Sequence, residues 1–214
     1  MLIQTYALEG ESLLWQGQFV LARTHLEHAK SLYRPQRWDA SAYFFGHYPV
    51  VQNLSILGYV LWGLGYPERA VQQNDEALTF AQGLSHPFNL TFALSVKALL
   101  HHLRREAHIV QEQAATLVTV STEQGFPFQA AWGNMLLGWA LVEQGAGEAE
   151  ITRIKEGIAT FERTAGSPYP LSSGTCSGKP YGIFRAAPLR LPPSYNAPRG
   201  TGTPAIFSRT RPSV

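Results

Sequence analysis

The side chains that could carry chemistry fall in three places. His25 and His28 stand three residues apart around Glu27, His101 and His102 are adjacent with His108 further on, and Cys176 is the only cysteine. Two histidines at i, i+3 share one helix face, but a metal ion asks for three or four converging ligands. Neither cluster has a defined third ligand and no His-Glu-x-x-His string occurs, so both read as half-exposed helix histidines. Cys176 has no histidine after residue 108 to activate it as a nucleophile. Phosphate chemistry fares no better, because no G-x-x-x-x-G-K followed by Ser or Thr is present. Gly63-Leu64-Gly65 and Gly145-Ala146-Gly147 lack the strand, third glycine and acidic follower of a dinucleotide site. With no convergent acid, base or nucleophile, the chain reads as non-catalytic, with no cofactor and no metal.

The elements that position these residues follow from charge and repetition. Among 214 residues, six of the 17 basic side chains and none of the 15 acidic ones lie beyond residue 164, which divides the net charge of +2 into an acidic body of −4 and a basic tail of +6. The same tail holds nine of the 14 prolines, so residues 165–214 read as a disordered Pro/Gly-rich segment. The dispersed charges of this tail match no nucleic-acid module, and no nucleic-acid partner is expected. Residues 1–15 have no early Lys or Arg, and the most apolar runs, Leu54 to Leu64 and Trp132 to Val142, fall short of the ~20 residues a membrane span needs. The chain therefore reads as soluble and cytoplasmic, with no membrane partner.

Residues 1–164 repeat. Gly58, Leu61, Gly65, Ala70 and Ala77 recur earlier in the chain as Gly10, Leu13, Gly17, Ala22 and Ala29, and Gly58, Leu61, Gly65, Glu68 and Leu78 recur later as Gly138, Leu141, Gly145, Glu148 and Ile158. An offset of 39 aligns Leu64, Val71 and Leu78 with Leu103, Val110 and Leu117, and puts Arg104 in place of the glycine. Pro49, Pro87 and Pro127 keep nearly the same beat, each suited to a first helical turn. Leu54, Leu57, Leu61 and Leu64 form one helical stripe, Gly65-Tyr66-Pro67 breaks it, and Ala70, Val71, Ala77, Leu78 and Ala81 resume it. Each unit is thus an α-hairpin of about 40 residues. Four stacked hairpins make an all-α solenoid with an irregular C-terminal tail.

Those residues carry a resemblance. The order small, large, turn glycine, small, small is similar to the tetratricopeptide repeat. The strings His25-Leu26-Glu27, Leu64-Gly65-Tyr66-Pro67, Leu84-Ser85-His86-Pro87-Phe88, Glu123-Gln124-Gly125-Phe126-Pro127 and Gly138-Trp139-Ala140-Leu141 resemble more narrowly the C-terminal repeat region of bacterial signalling ATPases, including those fused to adenylate cyclase domains, and the repeat region of maltose-type transcription activators. The resemblance implies a fragment of the sensory end of a signal-transduction system, acting as a protein-interaction scaffold or, alternatively, binding a small-molecule effector. Such proteins continue with further helices after a Pro-Tyr, which stands here as Pro168-Tyr169.

If the first helix of each unit lines a concave groove, the offsets predict its lining. It comprises Gln52, Ser55, Tyr59 and Trp62 in unit two, and Gln4, Ala7, Glu11 and Leu14 in unit one. Unit three supplies Thr91, Leu94, Ala98 and His101, and unit four Trp132, Met135, Trp139 and Val142. A protein segment or neighbouring domain is the expected occupant, with a small effector as the alternative. The competing expectation is that the tryptophans pack between repeats. The last helix, Glu148 to Thr164, lacks a capping neighbour, so Ile151, Ile154, Ile158 and Phe161 are expected to be partly exposed and to favour self-association.

Overall fold

The computed structural model describes residues 2–33 and 48–165, and the expectations for residues 166–214, Cys176 and Pro168-Tyr169 among them, lie outside the described residues. Every regular element among the described residues is an α-helix: α1 (Leu2–Trp15), α2 (Phe19–Ser31), α3 (Pro49–Gly63), α4 (Pro67–Gly83), α5 (Pro87–Leu103), α6 (Ala107–Glu123), α7 (Pro127–Glu143) and α8 (Glu148–Ala165). None is long and apolar enough to cross a membrane.

The helix starts are made without side-chain caps. No residue before α2 to α7 bonds its helix from its side chain, and α3, α4, α5 and α7 open on proline, whose missing N–H leaves one orphan donor fewer. The helix ends are made by one repeated turn. From α4 to α7 the helices begin at residues 67, 87, 107 and 127, and the left-handed residue before each start is Gly65, Ser85, Arg105 and Gly125, with Gly145 following in step. At Gly65, Arg105 and Gly125 the amide after that residue reaches back to the last turn of the helix, as in Tyr66 N to Leu61 O at 2.9 Å, Glu106 N to His101 O at 3.0 Å and Phe126 N to Ser121 O at 2.8 Å. From the second hairpin onward, the same short turn thus joins the two helices of a hairpin and one hairpin to the next. Ser85 and Arg105 adopt positive φ with a Cβ present, at 49° and 63°, a strain of about 1 kcal/mol each.

This beat corrects the register of the third unit. Arg105, not Arg104, takes the conformation of Gly65, so the offset is 40 rather than 39. The equivalents of Gln52, Ser55, Tyr59 and Trp62 are then Phe92, Ser95, Leu99 and His102. Gly10, Gly58, Ala98 and Gly138 consequently share one register position.

Packing explains why that position is small. A Cβ on Gly10 would lie 2.6 Å from Leu26, on Gly58 2.5 Å from Asn74, and on Gly138 2.7 Å from Ile154 and 2.9 Å from the Glu150 carbonyl. Leu26, Asn74 and Ile154 hold equivalent places in the second helices of their hairpins. In the third unit, where Ala98 takes the crossing position, that place falls to Ala114, fully buried. The added methyl on one helix is matched by a smaller side chain on the other.

Each helix packs on its neighbours in sequence, and α1, α3, α5 and α7 also touch one another in a row. These odd helices hold most of the core, while α2, α4 and α6 bury one stripe each. Asn53 of α3 ties successive units together, its Nδ2 donating to the Leu26 carbonyl of α2 at 3.1 Å. The two end faces differ. Thr5, Leu8, Glu9 and Ser12 of α1 are exposed where α3 buries Asn53, Ile56, Leu57 and Val60 at the same register positions. On α8, Ile154 is buried, contrary to the expectation of exposure, because it fills the space at Gly138. Phe161 is half-buried, its ring 4.8 Å from Phe128 and 5.9 Å from Trp132, Ile151 is half-buried, and Ile158 is 37% exposed.

Candidate functional site

The face of the odd helices predicted to line a groove is mostly turned inward. Gln52, Ser55, Thr91, His101, Trp132, Met135 and Trp139 are buried, while Tyr59 and Trp62 are half-buried. Of the offset positions, Gln4, Ala7, Glu11, Leu14, Leu94 and Ala98 are buried and Val142 is half-buried. The reason is the row contact: with odd helices laid against one another, the side chains at this register fill the seams between them. Tyr59 and Trp62 alone of the nine principal candidates keep a partial outlet to solvent.

Polar residues persist along this inward face, and several lack partners. Gln4 Oε1, Glu11 Oε1, Trp15 Nε1, Ser55 Oγ and His102 Nδ1 are buried atoms without a hydrogen bond. In one repeat frame they occupy positions 4, 7, 11, 14 and 15, spaced as one side of a helix. A buried polar atom without a partner costs ~1–3 kcal/mol unless water or a ligand meets it.

The densest group lies where α1 meets α3. Gln52 Nε2 donates to Glu11 Oε2 at 2.8 Å across the seam, and Glu11 is 6% exposed. The Trp15 indole leans on the same carboxyl without closing a well-formed bond. Burial pushes the Glu11 carboxyl up to about 7, against the smaller opposing pull of Trp15 and Gln52. No cation among the described residues contributes.

The two adjacent histidines part company. His101 Nδ1 meets Glu106 Oε2, and Glu106 Oε1 takes the Arg104 Nε–H at 2.9 Å, while Arg104 Nη1 reaches Glu68 of α4 at 3.3 Å. Burial raises the Glu106 carboxyl, but the bonds from His101 and Arg104 outweigh it and hold the group below its usual range. The backbone bond from Glu106 N to His101 O closes the same turn, so this network locks the end of α5. His102 instead takes the register of Trp62 and stands edge-on to Trp139, ring centroids 4.2 Å apart. Burial, with the Arg105 charge behind it, lowers the His102 imidazole to about 4, so it is neutral at pH 7. Phe92, Ser95, Leu99 and His102 escaped the sequence reading because unit three carries no glycine at its turn.

The first histidine pair is likewise divided. His25 Nδ1 meets Glu9 at 3.0 Å and His28 lies edge-on to the Tyr6 ring at 4.4 Å, and among the described residues no group of three or more His, Cys, Asp or Glu could hold a metal ion. The arrangement is one of hydrogen-bond donors and acceptors set among apolar and aromatic side chains. No protein-family model, curated protein or solved structure matches the chain.

Proposed function

We infer that the chain is a tetratricopeptide-like α-solenoid serving as a non-catalytic binding scaffold, the sensory or interaction part of a signal-transduction ATPase or adenylate cyclase system. The observation that carries this reading is the repeated unit itself, with helices that start evenly at positions 67, 87, 107 and 127, one turn type between them and the odd helices in a row. Repeats of this kind present one continuous surface to a protein segment. Tyr59 and Trp62, aromatic and partly open on that surface, have the character of binding hot spots. An alanine at each should weaken capture of a neighbouring domain or peptide at least tenfold while far-UV circular dichroism stays unchanged. Loss of helicity would instead make the pair part of the core and remove the reading.

A second reading, a small polar effector held between the odd helices, is favoured by the line of buried atoms from Gln4 to His102 that no protein group satisfies. Thermal-shift screening of sugars and nucleotides separates the two: an effector raises the midpoint of the isolated chain, whereas a scaffold for protein segments does not respond.

A further inference from the structure

Among the described residues, the seam between α1 and α3 contains one buried carboxyl, that of Glu11, and no cation to balance it. Residues of α3 include no Asp, Glu, Lys, Arg or His, and its one ionisable side chain is Tyr59, whose pKa is raised by burial. On α2, the other helix packed against α1, the ionisable groups are engaged elsewhere. Arg23 pairs with Glu27 at 2.8 Å, His25 with Glu9 at 3.0 Å, and Lys30 with Glu76 at 2.6 Å, while His28 lies against Tyr6. Glu11 is left facing two neutral donors, the Gln52 amide and the Trp15 indole, with its Oε1 unsatisfied. A protonated carboxyl is neutral and needs no counter-ion. An ionised one is a buried charge with no counter-ion among the described residues.

We propose that Glu11 is the latch of a protonation-dependent joint, by which the first hairpin, α1 and α2, docks on α3 when the carboxyl holds its proton and loosens when the proton leaves. The ordinary value of 4.5 governs the undocked carboxyl and about 7 the docked one. Docking is therefore strongest below pH 4.5, weakens as pH rises through the interval between the two values, and levels off above it. Opening would uncover the polar atoms of α1 and α3 and so couple acidity to access along the inner face.

The test is hydrogen exchange on the full chain, followed by mass spectrometry at pH 5.5 and pH 8.0, with rates corrected for the intrinsic effect of pH. Protection over residues 2–15 is expected to fall about tenfold or more relative to the peptides of α5 and α7, as the raised carboxyl value requires. The neutral isostere Glu11→Gln should abolish the difference. Equal wild-type protection at both pH values, or the same fall in Glu11→Gln, overturns the proposal. Should Glu11→Gln not fold, carbon-detected NMR titration of the wild-type Glu11 carboxyl decides: a midpoint near neutrality supports the latch, and one in the usual carboxylate range overturns it.

Discussion

Burial governs the ionisable residues of the inner face, and it acts on them in opposite senses. His102 is 3% exposed, and burial with the Arg105 charge disfavours its charged form, so its proton is bound more tightly in the unfolded chain than in the folded one. Between pH 6.5 and about 4 the unfolded state gains the proton first, and stability falls as the solution becomes more acid. The contribution is on the order of 3 kcal/mol across that window. His102→Phe keeps an aromatic edge for Trp139 and removes the unpartnered Nδ1. It should match or exceed wild-type stability at pH 7 and lose much less of it at pH 4.5, which urea unfolding at the two pH values would measure; an equal acid loss in both proteins would show that His102 is not its source. Glu11 works against this trend over a similar pH range, since its raised value favours the folded state in acid. The two effects partly cancel in global unfolding, which is why the α1 latch is sought in local protection.

At the scale of the helix pair, the crossing residue and its opposite number are one variable. Gly58 admits Asn74, whose Oδ1 and Nδ2 are both buried without partners. Gly58→Ala gains about 1 kcal/mol of helix propensity but drives its methyl into that amide, and a net loss of about 1–2 kcal/mol is expected. The double change Gly58→Ala with Asn74→Ala copies the Ala98 and Ala114 arrangement of the third unit and should recover the loss, because it removes the clash and two unmet polar atoms together. Chemical denaturation of the single and double variants checks this through the coupling between the sites; additive effects would mean that the helices do not meet there. Gly138 allows no such repair, since its methyl would also press on the Glu150 carbonyl, which a side-chain change cannot move aside.

For the whole molecule, the contacts run between neighbours. Each hairpin touches the next, and the odd helices link in the order α1, α3, α5, α7. Stability of such an array is a sum of local terms, so the place of a defect decides how far it spreads. Leu26 and Leu117 are both fully buried, and alanine at either should cost about 2–5 kcal/mol. Leu26 meets Gly10 at the end of the row, whereas Leu117 lies against Gly133 between α6 and α7. Hydrogen exchange should therefore show Leu26→Ala losing protection over residues 2–31 and little beyond, and Leu117→Ala losing it on both sides of α6. Uniform loss in both variants would mean one indivisible core. Ion pairs add bridges between units, as with Arg105 and Glu143 at 3.0 Å and Lys97 and Asp75 at 2.8 Å, but pairs with one partner exposed to solvent contribute only about 1 kcal/mol each.

Much of this design is written in local sequence. The stripe from Leu54 to Leu64, the prolines at positions 49, 87 and 127 and the glycines at 17, 65 and 145 each act within a few residues, through helical period, first-turn geometry and positive φ, and so could be read directly. The third unit was displaced by one residue because Ser85 and Arg105 hold the left-handed turn without glycine, and only the strain of the folded chain reveals them. The inward face was beyond reach for a different reason. Whether Gln52 lies open in a groove or sealed against Glu11 depends on how closely α1 and α3 approach, and that distance is set by Gly10, Leu26 and Asn53 acting together across units. Amino-acid types by themselves determined the helices, their glycine turns and their repetition, because those are short-range interactions; the tertiary structure alone decided which polar groups lost their water, because desolvation belongs to the packed array and to no single helix.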